Sequence, residues 1–214
     1  SALAPAEVLR LLVVPDDSPA SQVLHQLRLP RAWAAFGTGG LLALAGALMQ
    51  VLLRNPLAEP YVLGVSGGAA VGALGAMVLG AAAAFVHAGA FGGALLSIAL
   101  VFAVARRDLG NAAVADGAEG LPRLLLAGVM LAAFWTALVT LMLALAPEAR
   151  IRGMLFWLAG DLGATDAGAW PAAALLGLTL ALWPLGRAMN LLLRGPLLAR
   201  TLGVRVVALR RLLY

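Results

Sequence analysis

The chain has 214 residues, 63% of them hydrophobic and only 12% charged, against about 45–50% and about 25% in soluble domains. So little polar material cannot cover a water-facing surface, which excludes a soluble fold and predicts a membrane protein. Cysteine is absent and all 15 basic residues are arginine, for a net charge of +5; this excludes a disulfide framework, a thiolate metal site and a cysteine nucleophile.

In chain order, the first 31 residues are mixed and polar enough to lie outside a bilayer, and no charged leader with a short apolar run opens them, so no signal peptide is expected. A crossing helix needs about 20 apolar residues. Runs free of Asp, Glu and Arg cover Ala32–Leu53, Tyr61–Ala105, Leu124–Pro147 and Ala167–Gly186. The second run is too long for one helix and divides near "GAAAAFVHAGAFGG", with a turn expected at 83–87 around His87. The prediction is an all-α polytopic bundle with five spans, at 32–53, 61–82, 88–105, 124–146 and 167–186. "GMLFWLAG" (Gly153–Gly160) is too short to cross and reads as a re-entrant or interfacial helix. The domains expected are an external segment (1–31), a membrane bundle (32–186) and a cytoplasmic segment (187–214).

Arginine sets the predicted sidedness. The N-terminal segment, the 83–87 turn and the 147–166 loop hold Arg10, Arg28, Arg31, Arg150 and Arg152. The 54–60 turn, the 106–123 loop and the C-terminal tail hold the other ten. Excess arginine belongs in the cytoplasm, so the N-terminus is expected outside and the C-terminus inside. The arginines end apolar runs and form no basic patch with interleaved aromatics, so nucleic acid is not an expected partner.

Between the first two spans, "RNPLAEP" (Arg54–Pro60) closes one helix and launches the next, because proline cannot continue a helix interior. In the second span Gly64, Gly68, Gly72, Ala76 and Gly80 recur every four residues, the spacing that lets helix backbones approach closely in lipid. Gly39, Ala43 and Ala47 form a similar stripe in the first span. Gly128, Ala132, Thr136 and Thr140 do so in the fourth, where the threonines either bond their own helix or face a pathway. In the tail, Gly195-Pro196 opens a short amphipathic helix with proline in its first turn. Gly203 stops it, and a second short helix follows.

"GVSGG" (Gly64–Gly68) fits G-x-S-x-G, so an intramembrane serine hydrolase using Ser66 is a rival reading. A nucleophilic serine needs a base within hydrogen-bond reach. The two histidines are His25, in the external segment, and His87, 21 residues or about 30 Å along a helix from Ser66. No His/Asp/Glu set has metal-ligand spacing, and no phosphate-binding loop occurs. No catalytic residue, metal site or cofactor is therefore expected on this chain. The spans hold no carboxylate, which argues against a proton relay within them.

"RLPR" (Arg28–Arg31), "LALAGALMQ" and "RNPLAEPYVLGVSGGA" resemble, in that order, the permease subunits of binding-protein-dependent ABC importers for ferric siderophores, haem and cobalamin, the FecCD type. "LLLAGVML", "FWLAGDLG" and "RAMNLLLRGPLLARTLGV" continue the likeness to the C-terminus. The resemblance implies alternating access in the bacterial inner membrane and a homodimer with its pathway between the two copies. It implies two cytoplasmic ATPase subunits that carry ATP and Mg, and an external binding protein. Arg28 and Arg31 would then dock the binding protein. Gly195, Leu198, Ala199, Leu202 and Gly203 would couple to the ATPase. Gly128, Thr136 and Thr140 would line the pathway, and Gly64, Gly68, Gly72 and Gly80 would pack helices. The family's usual count is about ten spans; the five here match its second to sixth, which reads as a partial chain or as a shortened, non-transporting scaffold subunit. Pro196 stands where the family often has a glutamate.

Overall fold

The computed structural model describes residues 4–111, 120–162 and 168–213. Among the described residues the regular structure is helical, with no strands, as the composition predicts. The chain forms two compact units, residues 1–44 with 160–184 and residues 45–159 with 185–214.

The first unit opens with α1 (Pro5–Val13) and α2 (Pro19–Val23). Ser18 caps α2 by accepting the Ser21 N–H, and a His25 ring nitrogen donates to the Leu11 carbonyl at 2.9 Å, holding α1 in place. A π turn (Leu24–Arg28) then leads into α3 (Leu29–Leu53). The helix therefore runs on from Pro19 to Leu53 and does not begin near residue 32, as the apolar run implied. Pro30 has no N–H to donate and would crowd the preceding turn. The wider turn just before it, closed by Leu29 N–H donating to Leu24 O, carries the helix through.

Also in this unit is α8 (Trp170–Leu182). Residues 163–167, including the expected start of the last span, lie outside the described residues. The small-residue contact to α8 uses Gly37, against the backbone of Pro171 and Ala172, and Gly40, against Leu175. Gly39, expected on this stripe, faces open space; the glycine-rich stretch offers more than one face, and the position of α8 decides between them.

In the second unit the chain turns at Arg54–Glu59. Asn55 makes the turn: its N–H donates to Gln50 O, its Oδ1 accepts from Leu57 N–H at 2.9 Å, and its carbonyl accepts from Ala58 N–H. Ala58 is buried beside Leu53 and Val101. A 3₁₀ turn (Pro60–Leu63) follows, then α4 (Val65–Val78). Fourteen residues of α4 reach about 21 Å, and the 3₁₀ turn adds about 8 Å, together close to the roughly 30 Å of a hydrocarbon core. Where a span was expected at 61–82 the structure has a shorter apolar helix, set off from the 3₁₀ turn at Gly64 (φ +69°) and ended by Gly80 (φ +72°).

The next helix, α5, is Ala83–Asn111. The turn between it and α4 therefore falls at 79–82, not at 83–87, and His87 is helical; Gly80, with its left-handed backbone, fixes the break. Residues 106–111 and 120–123, expected in a loop, are helical; the rest of that expected loop, 112–119, lies outside the described residues. Then come α6 (Gly120–Leu145) and α7 (Glu148–Ala159). Pro147 starts α7 earlier than "GMLFWLAG" implied. The unit closes with α9 (Gly186–Leu193), α10 (Pro196–Thr201) and α11 (Val206–Leu213).

Among the described residues four helical stretches are long and apolar enough to cross a membrane: Pro19–Leu53, Ala83–Val104, Leu125–Leu145 and Trp170–Leu193. The last passes Pro184 through a 3₁₀ turn (Trp183–Leu185) and outruns its expected end at 186. With the shorter apolar α4 they make a helical membrane protein. Large side chains such as Phe36, Phe85, Phe134 and Leu176 are exposed on these helices, as lipid or further helices require.

Candidate functional site

Three places gather the candidate residues: the α4–α5–α6 packing core, the C-terminal helices and the α2–α3 junction.

In the core, α4 and α5 run antiparallel with their backbones in contact. A Cβ on Gly68 would collide with Gly93 O, and one on Gly72 with Gly89 O; the same holds in reverse from α5. Gly68 and Gly72 thus lie where the two backbones meet. Their partners Gly89 and Gly93 fall in the expected span at 88–105, where no stripe was read, although Gly89-x-x-x-Gly93 is itself the close-approach spacing. Gly64 and Gly80 are the positive-φ residues at the two ends of α4.

"GVSGG" serves three contacts. Gly64 lies against Ala132, Ser97 and Trp135, Gly67 against Trp135 of α6, and Gly68 against Gly93 of α5. Any side chain at Gly67 or Gly68 would strike a neighbour, which accounts for the motif without chemistry. Ser66 is exposed at the start of α4. The Gly68–Gly93 and Gly72–Gly89 pairings place His87 toward the opposite end of α4 from Ser66, so the two are not brought together.

A buried polar relay closes this core. Trp135 Nε1–H donates to Ser97 Oγ at 3.0 Å, and the Ser97 hydroxyl donates to Leu63 O at 3.3 Å. Nothing in the spacing of these residues revealed it. On α6, Gly128 lies against the Val62–Leu63 backbone and so sits with the close-approach glycines rather than on an open face. Thr136 and Thr140 are exposed and bond their own helix, donating to Ala132 O at 2.8 Å and Thr136 O at 2.9 Å.

At the C-terminus, Gly195 (φ +124°) precedes α10, and Pro196 occupies its first turn, as the sequence predicts. Gly203 (φ +83°) ends it. Its N–H donates to Arg200 O at 3.0 Å and Val204 N–H donates to Ala199 O at 2.9 Å, the paired closure that a left-handed glycine permits. Ala199 is fully buried with Val51, Leu192, Val206 and Leu209. It therefore anchors α10, its side chain covered by α9 and α11. Leu198 and Leu202 are exposed, and Arg200, Arg205 and Arg211 border a shallow cleft between α10 and α11.

Arg28 ends the π turn and Arg31 lies in the first turn of α3; both are exposed. Three residues apart on a helix, they share a face. No group of three or more His, Cys, Asp or Glu able to hold a metal occurs among the described residues.

The FecCD transport family matches residues 1–214. The chain is 36% identical over 201 residues to the vitamin B12 import system permease protein BtuC of Escherichia coli O127:H6, covering 91% of this chain and 59% of that protein. It is 37% identical over 183 residues to BtuC of Escherichia coli O1:K1, covering 84% and 53%. The chain thus spans under three fifths of the length of these curated relatives. A solved structure of a metal-chelate type ABC transporter in an inward-facing conformation superposes with a TM-score of 0.73 at 26% identity, over 98% of this chain and 71% of that one.

Proposed function

This chain belongs to the FecCD transport family, and from that premise we propose that it is the permease part of an ATP-driven importer in a bacterial inner membrane. Its cargo is cobalamin or an iron chelate such as a ferric siderophore or haem; the BtuC relatives favour cobalamin. Two copies form the pathway and work by alternating access, exchanging outward-open and inward-open packings of the helices. The chain hydrolyses nothing. ATP and Mg belong to two partner ATPase subunits, and a periplasmic binding protein delivers the cargo.

The observation that carries this reading is the C-terminal end. A short helix locked by Gly203 and anchored through buried Ala199 presents Leu198 and Leu202 beside three arginines. A helix so held transmits a push as a rigid lever. We place this segment in the cytoplasm, against the ATPase, and Arg28 and Arg31 outside, against carboxylates of the binding protein. Thr136 and Thr140 face the pathway.

The test is reconstitution of the complete permease with its ATPase and binding protein in lipid vesicles. ATP-dependent uptake of labelled cobalamin, haem or ferric siderophore is expected for one cargo class, and Arg28→Glu with Arg31→Glu is expected to abolish its stimulation by the binding protein. No ATP-dependent uptake of any of the three would overturn the reading. Uptake unaffected by the double substitution would overturn the docking role alone.

A further inference from the structure

Arg150 lies in the first turn of α7, and its guanidinium reaches out of that helix to the end of α4. Nη1–H donates to the Val78 carbonyl and, at 3.4 Å, to Met77 O. The last carbonyls of any helix lack intrahelical donors. Two at the end of α4 are closed by the turn itself: Ala81 N–H donates to Ala76 O and Gly80 N–H to Met77 O, both at 3.0 Å. Val78 O is left beyond that closure, and Arg150 takes it. The cation also stands at the negative end of the α4 dipole. Gly80 turns the chain there with a left-handed backbone (φ +72°), and Arg150 Nη2 lies in ordinary contact range, 3.4 Å from where a Cβ on it would stand.

The connections of α7 give this contact its weight. Only Ala146 and Pro147 separate α7 from α6, and Gly160 (φ +85°), with open space around it, follows its last residue. A short helix between a proline joint and a glycine joint can swing. The Arg150 contact ties it to the α4–α5 pair, with Met154 fully buried along the same helix.

We infer that Arg150 is a positioning residue: it latches α7 to the end of α4, so that α7 and the α4–α5 pair move as one body during the transport cycle. The consequence for transport rests on the importer reading; the latch itself does not. It works through backbone carbonyls and touches no cargo.

The chain has no cysteine, so label sites can be chosen freely. The complete permease in lipid vesicles, carrying Leu79→Cys and Ala149→Cys, would be spin-labelled for distance measurement by pulsed electron resonance. A single narrow distance, unchanged by ATP on the partner subunit, is expected. Arg150→Gln should broaden it, and Arg150→Lys, which keeps the charge and one donor to Val78 O, should largely restore it. A distribution in Arg150→Gln as narrow as in the parent would overturn the latch, whatever its transport activity. For the case in which Arg150→Gln does not fold, the two cysteines of the parent protein would be joined by a short bis-maleimide. Uptake that survives cross-linking supports movement as one body, and uptake lost on cross-linking overturns it. Loss of uptake in the parent protein before any cross-linking would instead count against the importer reading.

Discussion

Trp135 of α6 donates its indole N–H to the hydroxyl of Ser97 on α5 at 3.0 Å, in a place where Ser97 has no exposed surface and Trp135 only 5%. The hydroxyl passes the bond on to Leu63 O, the residue before the left-handed Gly64. Two helices and the break between the 3₁₀ turn and α4 are thus held at one buried point. A carbonyl freed by a helix break has no water to turn to inside a membrane, and Ser97 supplies its partner.

Ser97→Ala removes both bonds at once and strands the indole N–H and the Leu63 carbonyl. The expected loss is about 1–3 kcal/mol for each group left unpaired, read as a fall in the unfolding midpoint in detergent with a change in tryptophan emission. Trp135→Phe keeps most of the buried area and strands only a serine oxygen that still donates to Leu63, so it should cost less. The double variant should lose less than the sum of the two, as expected for side chains sharing one bond. An additive result would show that the relay carries no energy.

Backbone contact between α4 and α5 makes a second, sharper prediction. Gly72→Val and Gly93→Val each place a side chain where the partner helix has a carbonyl. The helices must part, at about 1–3 kcal/mol or more for such overpacking. Gly92 is the control: it neighbours Gly93 on the same helix and has nothing within 4 Å. Gly92→Ala should leave stability unchanged or raise it by up to about 1 kcal/mol through helix propensity. Equal destabilisation at 92 and 93 would sink the account.

The glycines also show what the sequence could disclose. Apolar run length located the membrane helices, and four-residue spacing found Gly68 and Gly72, because both signals are one-dimensional. The partner stripe at Gly89 and Gly93 carried the same spacing in the expected span at 88–105, but two glycines in a stretch full of small residues do not by themselves say which helix they face. Gly195, Pro196 and Gly203 were legible because their backbone constraints are local. Ala199 was not, since which face of α10 is buried depends on α9 and α11 arriving from elsewhere in the chain. The Arg150 and Trp135 bonds span 72 and 38 residues, and no periodicity encodes such pairings.

Thr140 separates packing from passage. Its hydroxyl already donates to Thr136 O and its side chain is exposed, so Thr140→Val should change stability by no more than about 0.5 kcal/mol. If the stripe faces cargo, the lost hydroxyl should lower uptake about two- to tenfold, the worth of one hydrogen bond. Vesicle uptake and thermal unfolding on the same preparation measure the two effects. Unchanged uptake would assign the threonine to its own helix alone.

The turn before α2 has a pH signature. Asp16 accepts from the Ser18 hydroxyl and from Ser18 N–H. These two bonds, with a smaller contribution from Arg10, hold its carboxyl below the ordinary value. A carboxylate whose folded pKa is depressed stabilises the fold above its unfolded pKa, about 3.9, and loses that contribution as pH falls through the folded value. Amide protection at Ser18 and Ser21, taken relative to the free-peptide exchange rate at each pH, should therefore fall on acidification below about pH 4, and Asp16→Asn should flatten that dependence. An identical pH profile in the variant would remove Asp16 from the account.

Gly203 and Leu202 are neighbours with opposite expected effects, and together they test the lever at the C-terminus. Gly203 holds φ at +83° and closes α10 onto Ala199 and Arg200. An alanine there pays about 1–2 kcal/mol for the left-handed backbone, and the strain falls on the joint that seats Val206 and Leu209 beside Ala199. Gly203→Ala should therefore loosen α11, seen as faster amide exchange at Val206–Leu213, and should weaken ATPase association only as a consequence. Leu202 is 58% exposed, so Leu202→Ala should leave that exchange unaltered while weakening ATPase association directly. If both variants retained full association and ATP-driven uptake, the exposed face of α10 would not be a coupling surface. If Leu202→Ala loosened α11 as much as Gly203→Ala, its effect on the ATPase could not be assigned to contact, and α10 would be a structural plug for the α9–α11 core rather than a lever.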